Sequence, residues 1–401
     1  MKNIVFKNKS SARETELKDC YIIKPRFFGD ERGYYVADYI KEDMEELGFP
    51  KALSHHETKS IKNYLRGVEL DANNALTSRI LRAISGDAIA IVIDARKDSN
   101  TFGEYTLVHL TPYSSSDELS GKEVFVPTGY AHAVLSLKDN TIIQEFKGEK
   151  ATNFKNVSSS DELRPIVSKI LGELSQNKDK FKICKSLEEN SVAKTISTEL
   201  QDCYIVEPSY VKDEGGYHVS DFQKSEMKEL GFEEVYQHSE SKSAKNVLRG
   251  MHFQLDPKCQ AKLVRVVSGE VMDVVVDIRK DSPTYGKSIA IHLKPYEPSD
   301  PDSGKQLYVP RGFAHGFISL TDNAIFQYFV DNSYAPELEE GILWSGEETR
   351  ALFESILEEH GIDIKDLIIN DKDQKRLVLK DKPNYFKYEN KKDEYSFEVG
   401  V

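Results

Sequence analysis

Apolar residues in this chain gather in short runs rich in Val, Ile, Tyr and Phe, such as AIAIVIDARK (88–97) and VMDVVVDIRK (271–280). The runs are separated by turn signals: SGD, SGE, PTG and PRG. Runs of this length and composition read as strands, and the Gly/Pro punctuation marks where one strand hands over to the next. Many short strands without alternating helices predict an antiparallel sandwich or barrel of jelly-roll type. Helical stretches are expected only at SSDELRPIVSKILGEL (159–174) and SGEETRALFESILEEHG (345–361). Each opens on a Ser able to cap and carries acids in its first turn.

The pattern is written twice. ELKDCYIIKP around Cys20 returns as ELQDCYIVEP around Cys203, a shift of 183 residues. The same shift pairs Asp30 with Asp213, Arg66 with Arg249, Gly86 with Gly269, Asp94 with Asp277 and His132 with His315, without a gap to about residue 150. A repeat of this length predicts a duplicated domain. The expected division is a first copy over 1–175, a polar linker over 176–195 and a second copy over 196–401.

Length and charge narrow the class. The 401 residues suffice for two sizeable cores. A net charge of −13 argues against nucleic acid or an anionic membrane as the main partner. The N-terminal stretch reads as neither a signal peptide nor a membrane anchor, and no run of about 18 apolar residues occurs. Four cysteines without CxxC spacing suggest reduced thiols and a cytoplasmic location. The sequence has no HxH pair, a common metal-holding arrangement, and neither a metal nor a cofactor is expected.

The densest candidate chemistry lies in Val247–Lys262, VLRGMHFQLDPKCQAK, which reads as strand, turn, strand. In simple alternation Arg249 and Phe253 lean one way and His252 and Gln254 the other, unless a bulge at Gly250 re-aims the register. A neutral His beside two cations, Arg249 and Lys262, suits proton abstraction, because the cations hold the oxyanion that forms.

These residues, together with AKLVRVVSGEVMDVVVDIRKDSPTYG (261–286), LYVPRGFAHGFISL (307–320) and YAPELEEGILW (334–344), resemble the dTDP-4-dehydrorhamnose 3,5-epimerase family over roughly 200–375. The resemblance implies an all-β fold of two tandem cupin jelly-roll barrels with C-terminal helices, and an isomerase acting on a nucleotide-linked 4-keto sugar at C3, C5 or both through an enolate. It implies His252 as base with Asp373 of IINDKD as its partner, Tyr328 of FQYFV as acid, and Lys262 and Arg249 at the oxyanion. His315, Gln254, Gln237 and Tyr334 fall at substrate positions. A 3,4-ketoisomerase and a non-catalytic sugar-nucleotide binding module are the alternatives, and the retained His252 and Tyr328 favour the epimerase.

The first copy keeps YLRG and VPTGYAHAVLSL but differs where the chemistry lies. The shift of 183 sends His252 to Glu69, Tyr328 to Glu145 and Lys262 to Arg79. Aligning the last helices (Arg164 with Arg350) sends Asp373 to about Leu187. The first copy is therefore expected to be inactive in this reaction. The reverse holds in the FFGDERGYY segment (27–35). There the family carries an Arg that reaches a neighbouring subunit's nucleotide phosphates; the first copy has Arg32, and the second has Gly215 at that position. This predicts an internal pseudo-dimer with one functional site per chain, the protein being a monomer or a homodimer of such units.

Overall fold

The computed structural model describes residues 1–67, 77–150, 158, 160–175, 181–184 and 192–388. The shift read from the sequence recurs in the elements. Strands Tyr21–Lys24, Gly33–Ile40, Ala88–Asp94, Tyr105–Leu110, Glu123–Val126 and Tyr130–Ser136 reappear 183 positions later as Tyr204–Glu207, Gly216–Gln223, Val271–Asp277, Ser288–Leu293, Gln306–Val309 and Phe313–Ser319. Between strands of each copy the chain turns at Gly86 and Gly269, where φ is +76° and +69°. A Cβ there would come within 2.3 Å of Thr141 and 2.5 Å of Thr321, so only glycine fits both the backbone and the space.

The chain forms two compact units, each assembled from discontinuous segments. The first holds Met1–Phe27, Val36–Lys194 and Pro208–Val235; the second holds Phe28–Tyr35, Thr195–Glu207 and Tyr236–Val401. Each unit thus takes in the short hairpin that chain order would assign to the other copy.

In the first unit a large antiparallel sheet runs Asn3–Val5, Ser11–Glu14, Tyr21–Lys24, Glu123–Val126, Thr77–Ser85, Thr141–Lys150, Ala52–Ser60, Gly216–Gln223 and Tyr210–Asp213. A smaller sheet orders Tyr105–Leu110, Ala88–Asp94, Tyr130–Ser136 and Tyr64–Arg66, with Lys182–Ile183 added in parallel. The second unit repeats the plan. Tyr204–Glu207, Gln306–Val309, Lys262–Ser268, Ala324–Val330 and Gln237–Ser243 form its large sheet, which ends in residues 33–35 and 28–30. Ser288–Leu293, Val271–Asp277, Phe313–Ser319, Val247–Gln254 and Glu339–Gly341 form the smaller one. The jelly roll takes the form of two open sheets in each unit.

The near-continuous apolar strands follow from burial on both faces. Along Val271–Asp277, Val271 and Val275 pack between the sheets with Val264, Phe317 and Phe326. Val274 and Val276 face outward onto Trp344 and onto Phe353 and Ile356 of the helix Arg350–Glu359. The first unit does the same with Ala90 and Val92 inside and Ile91 and Ile93 beneath the helix Ser160–Leu174. Full burial of such a side chain contributes about 1.5–3 kcal/mol, which is why both faces stay apolar. One expectation needs correction. The second helix starts at Arg350, with Thr349 at the N-cap position making no side-chain cap bond and with no acid in its first turn. Ser345 and Gly346 lie in a preceding turn, and the Thr349 hydroxyl donates to the Trp344 carbonyl. Among the described residues no helix is long and apolar enough to cross a membrane.

Candidate active site

A cavity of about 410 Å³ opens in the second unit, a volume in the range of small-ligand sites. Its shape begins with the strand Val247–Gln254. Pairing of that strand with Phe313–Ser319 slips between Arg249 and His252. The slip sits at Gly250, with φ +123°, where a Cβ would lie 2.5 Å from the Gly316 Cα. Simple alternation is therefore broken: Met251 joins Leu248 in the apolar core, while Arg249 and His252 both line the cavity.

His252 Nε2 lies 2.6 Å from Oδ1 of Asp373. An ionised carboxylate only accepts, so Nε2 carries the hydrogen and Nδ1 keeps its lone pair. Asp373 is fully buried. Its other oxygen accepts from Asn370 Nδ2 at 2.8 Å and from the Gly250 amide at 3.3 Å. Asn370 in turn accepts from the Asp373 amide and caps the short helix Asp371–Gln374. Burial alone would push the Asp373 carboxyl up, but the His252 hydrogen bond and charge and the Gly250 amide hold it below the usual carboxylate range.

The cations stand close by. Burial lowers Lys262 below an ordinary lysine, with Asp273 and Glu339 opposing the shift. Arg249 is brought down to about 10 by burial and by the nearby charge of Arg32. Its Nε donates to Ser243 Oγ at 3.1 Å, and its Nη2 is buried without a partner among the described residues. Arg32 instead engages Asp30 through its side chain and backbone amide. Tyr328 faces the same cavity, its hydroxyl raised well above the usual phenol value by burial. The Lys262 ammonium sits 6.0 Å from the centre of its ring.

His315 forms a second pair, its Nε2 lying 2.8 and 3.1 Å from the two oxygens of Asp273. Burial lowers His315 and raises Asp273. Gln237 donates to Tyr35 and Ser239, and Tyr334 donates to Glu339 at 2.7 Å. Gln254 also borders the cavity, but its amide is spent on backbone: Nε2 on the Lys258 and Ser333 carbonyls, Oε1 on the Ala335 amide. It therefore holds the surrounding loops together.

All ten sequence-derived residues thus line one cavity. Asp273, Tyr35, Ser239, Glu339 and Asn370 belong to the same network and were not anticipated. Asp273 was legible in principle, being an acid at an inward position of VMDVVVD where the first copy has Ala90, whereas the strand's other acid, Asp277, is shared with the first copy as Asp94. Among the described residues no cluster of three or more His, Cys, Asp or Glu is arranged to hold a metal.

A family model described as dTDP-4-dehydrorhamnose 3,5-epimerase matches the chain twice, over residues 14–160 and 197–381. The chain belongs to that family. A dTDP-4-dehydrorhamnose 3,5-epimerase of Shigella flexneri is 46% identical over 152 residues, covering 37% of this chain and 81% of the relative. One from Methanothermobacter thermautotrophicus is 39% identical over 196 residues, covering 47% and 96%. The crystal structure of the Elizabethkingia anophelis epimerase is 38% identical, covers 47% of this chain and 98% of its own, and has a TM-score of 0.42. The Shigella and Methanothermobacter relatives thus each have about the length of one copy.

The first unit carries the family frame with different contents. Glu145, at the position of Tyr328, pairs with Arg79 at 2.6 Å and lies 3.8 Å from His132. Arg66 is gripped by both oxygens of Asp213 at 2.6 and 3.1 Å and by Ser60 at 2.7 Å. Its guanidinium also lies over the Tyr64 ring. Tyr64 packs so close to Gly215 that a Cβ there would meet its ring at 2.4 Å, which leaves no room for an arginine. In the second unit Arg32 takes the matching carboxylate, Asp30, and Arg249 is left open to the cavity. Glu69 and Leu187 lie outside the described residues.

Proposed function

We propose that this chain epimerises a nucleotide-linked 4-keto sugar at C3, C5 or both, in the site of the second unit. The supporting observation is that a carboxylate-backed His252 and a phenol, Tyr328, border one cavity with Lys262 and Arg249 between their reach. A C–H next to a ketone is weakly acidic, and removing its proton drives negative charge onto the carbonyl oxygen. His252 Nδ1 takes the proton, Asp373 stabilises the imidazolium, and Lys262 and Arg249 hold the enolate oxygen. Tyr328 returns a proton from the other face, which inverts the centre. His315 orients the sugar, Gln237 and Tyr334 contact the sugar or nucleotide, and Arg32 binds the diphosphate with its fork of donors. Gln254 acts through the loops it ties.

On this reading residues 196–401, completed by Phe28–Tyr35, write the catalytic copy, and 1–175 write a degenerate one whose charges are paired among themselves. Every residue used comes from one chain, so a monomer suffices, and the protein works in the cytoplasm, where sugar nucleotides are made.

Incubation in deuterated water with dTDP-, GDP- and CDP-linked 4-keto-6-deoxy sugars tests the reading. Deuterium at C3 or C5 of one substrate is expected; binding without exchange rejects it in favour of a binding module. Arg32→Ala should raise KM at least about tenfold with kcat changed far less, since a bidentate charge-assisted contact is worth about 1.5–3 kcal/mol. An unchanged KM removes Arg32 from the diphosphate site.

A further inference from the structure

Tyr328 can invert a centre only once before it must be reprotonated, and a substrate filling the cavity cuts it off from bulk water. The residues around its hydroxyl address this. Ser239 stands directly opposite Tyr328 in the pairing of Gln237–Ser243 with Ala324–Val330. Tyr35 and Tyr328 line the same cavity, the hydroxyls of Ser239 and Tyr35 both act electrostatically on that of Tyr328, and the Tyr35 and Ser239 hydroxyls lie 3.0 Å apart. Gln237 Nε2 donates to both, at 3.0 Å to Tyr35 and 2.7 Å to Ser239. Because each hydroxyl oxygen already accepts from Gln237, its own hydrogen is directed onward to another oxygen. Ser239 is fully buried, whereas Tyr35 is part-exposed. The chain of hydroxyls therefore runs from the outside to the acid.

We infer that Tyr35 and Ser239 form a proton relay that recharges Tyr328 after each inversion. The inference rests on the epimerase reading above. The balance closes: Tyr328 gives its proton to carbon, the phenolate takes one from Ser239, Ser239 takes one from Tyr35 in the same step, Tyr35 is resupplied by water, and the proton on His252 leaves to solvent. No bond other than O–H, N–H and C–H changes, and nothing is oxidised. The first unit supports a linked set of positions. The residues matching Tyr35, Ser239 and Tyr328 are His218, His56 and Glu145, again all proton-exchanging groups. His56 stands opposite Glu145 and stacks 5.2 Å from His218.

The test separates the two faces of the reaction. His252 alone exchanges the substrate proton with retained configuration, whereas inversion also requires Tyr328. With dTDP-4-keto-6-deoxyglucose in deuterated water, Tyr35→Phe is expected to slow inversion at least about tenfold while exchange with retention and KM stay within about twofold. Bypass by water keeps the loss below the ~10²–10⁴ of a positioned acid. Ser239→Ala removes one buried oxygen and should shift the ratio in the same direction, which keeps the test open if Tyr35→Phe folds poorly. An inversion-to-exchange ratio equal to that of the unaltered protein, or a joint fall of both through KM, overturns the relay. If the unaltered protein neither exchanges nor inverts any sugar of the panel, the epimerase reading itself fails, and the relay with it.

Discussion

His252→Ala is expected to lose about 10²–10⁴-fold in kcat/KM, and deuterium exchange and inversion should disappear together. In free energy this is about 2.7–5.4 kcal/mol of transition-state stabilisation. Both processes begin with the same C–H cleavage, so no route survives the loss of the base. The neighbouring carboxylate makes the prediction sharper. Asp373→Asn keeps the shape but replaces an acceptor-only group by one that can donate, so Nε2 need no longer hold the hydrogen and Nδ1 can be left protonated. The Asn variant should therefore lose nearly as much rate as His252→Ala while binding the substrate normally. If His252→Ala still exchanges at the original rate, another group takes the proton and the site has been read wrongly.

The sequence carried the repeat and the strand plan because both depend on local pattern. Strands buried on two faces are written as unbroken apolar runs, and a gapless shift of 183 survives in every strand pair compared above. The His252–Asp373 contact spans 121 positions and was legible only through the family resemblance, since no local rule links them. What escaped was set by packing. Arg249 and His252 share a cavity because the strand slips one residue at Gly250, which alternation alone cannot specify. Tyr35 reaches the site from a hairpin far from it in sequence, and Ser239 gains meaning only from the residue opposite. Ser345 looked like a helix cap, but the Ser345–Gly346 turn used those residues first.

Lys262→Met should cost about 10²–10³-fold in kcat, the usual loss when one preorganised donor to a developing oxyanion is removed, with the fold retained. Methionine matches the length and the buried surroundings, so the change removes charge with little change of shape. The pH dependence distinguishes this from a packing defect. Lys262 lies below its ordinary value of 10.5 because burial disfavours the ammonium. Activity that needs the ammonium is full below the depressed value and falls as pH rises through it, earlier than an exposed lysine would allow. Stability moves the other way: between the depressed and ordinary values the unfolded chain binds more protons than the folded one, so the unfolding free energy rises with pH across that window. Lys262→Met should flatten both limbs. An unchanged alkaline fall in kcat would assign that limb to another group and leave the enolate to Arg249 alone.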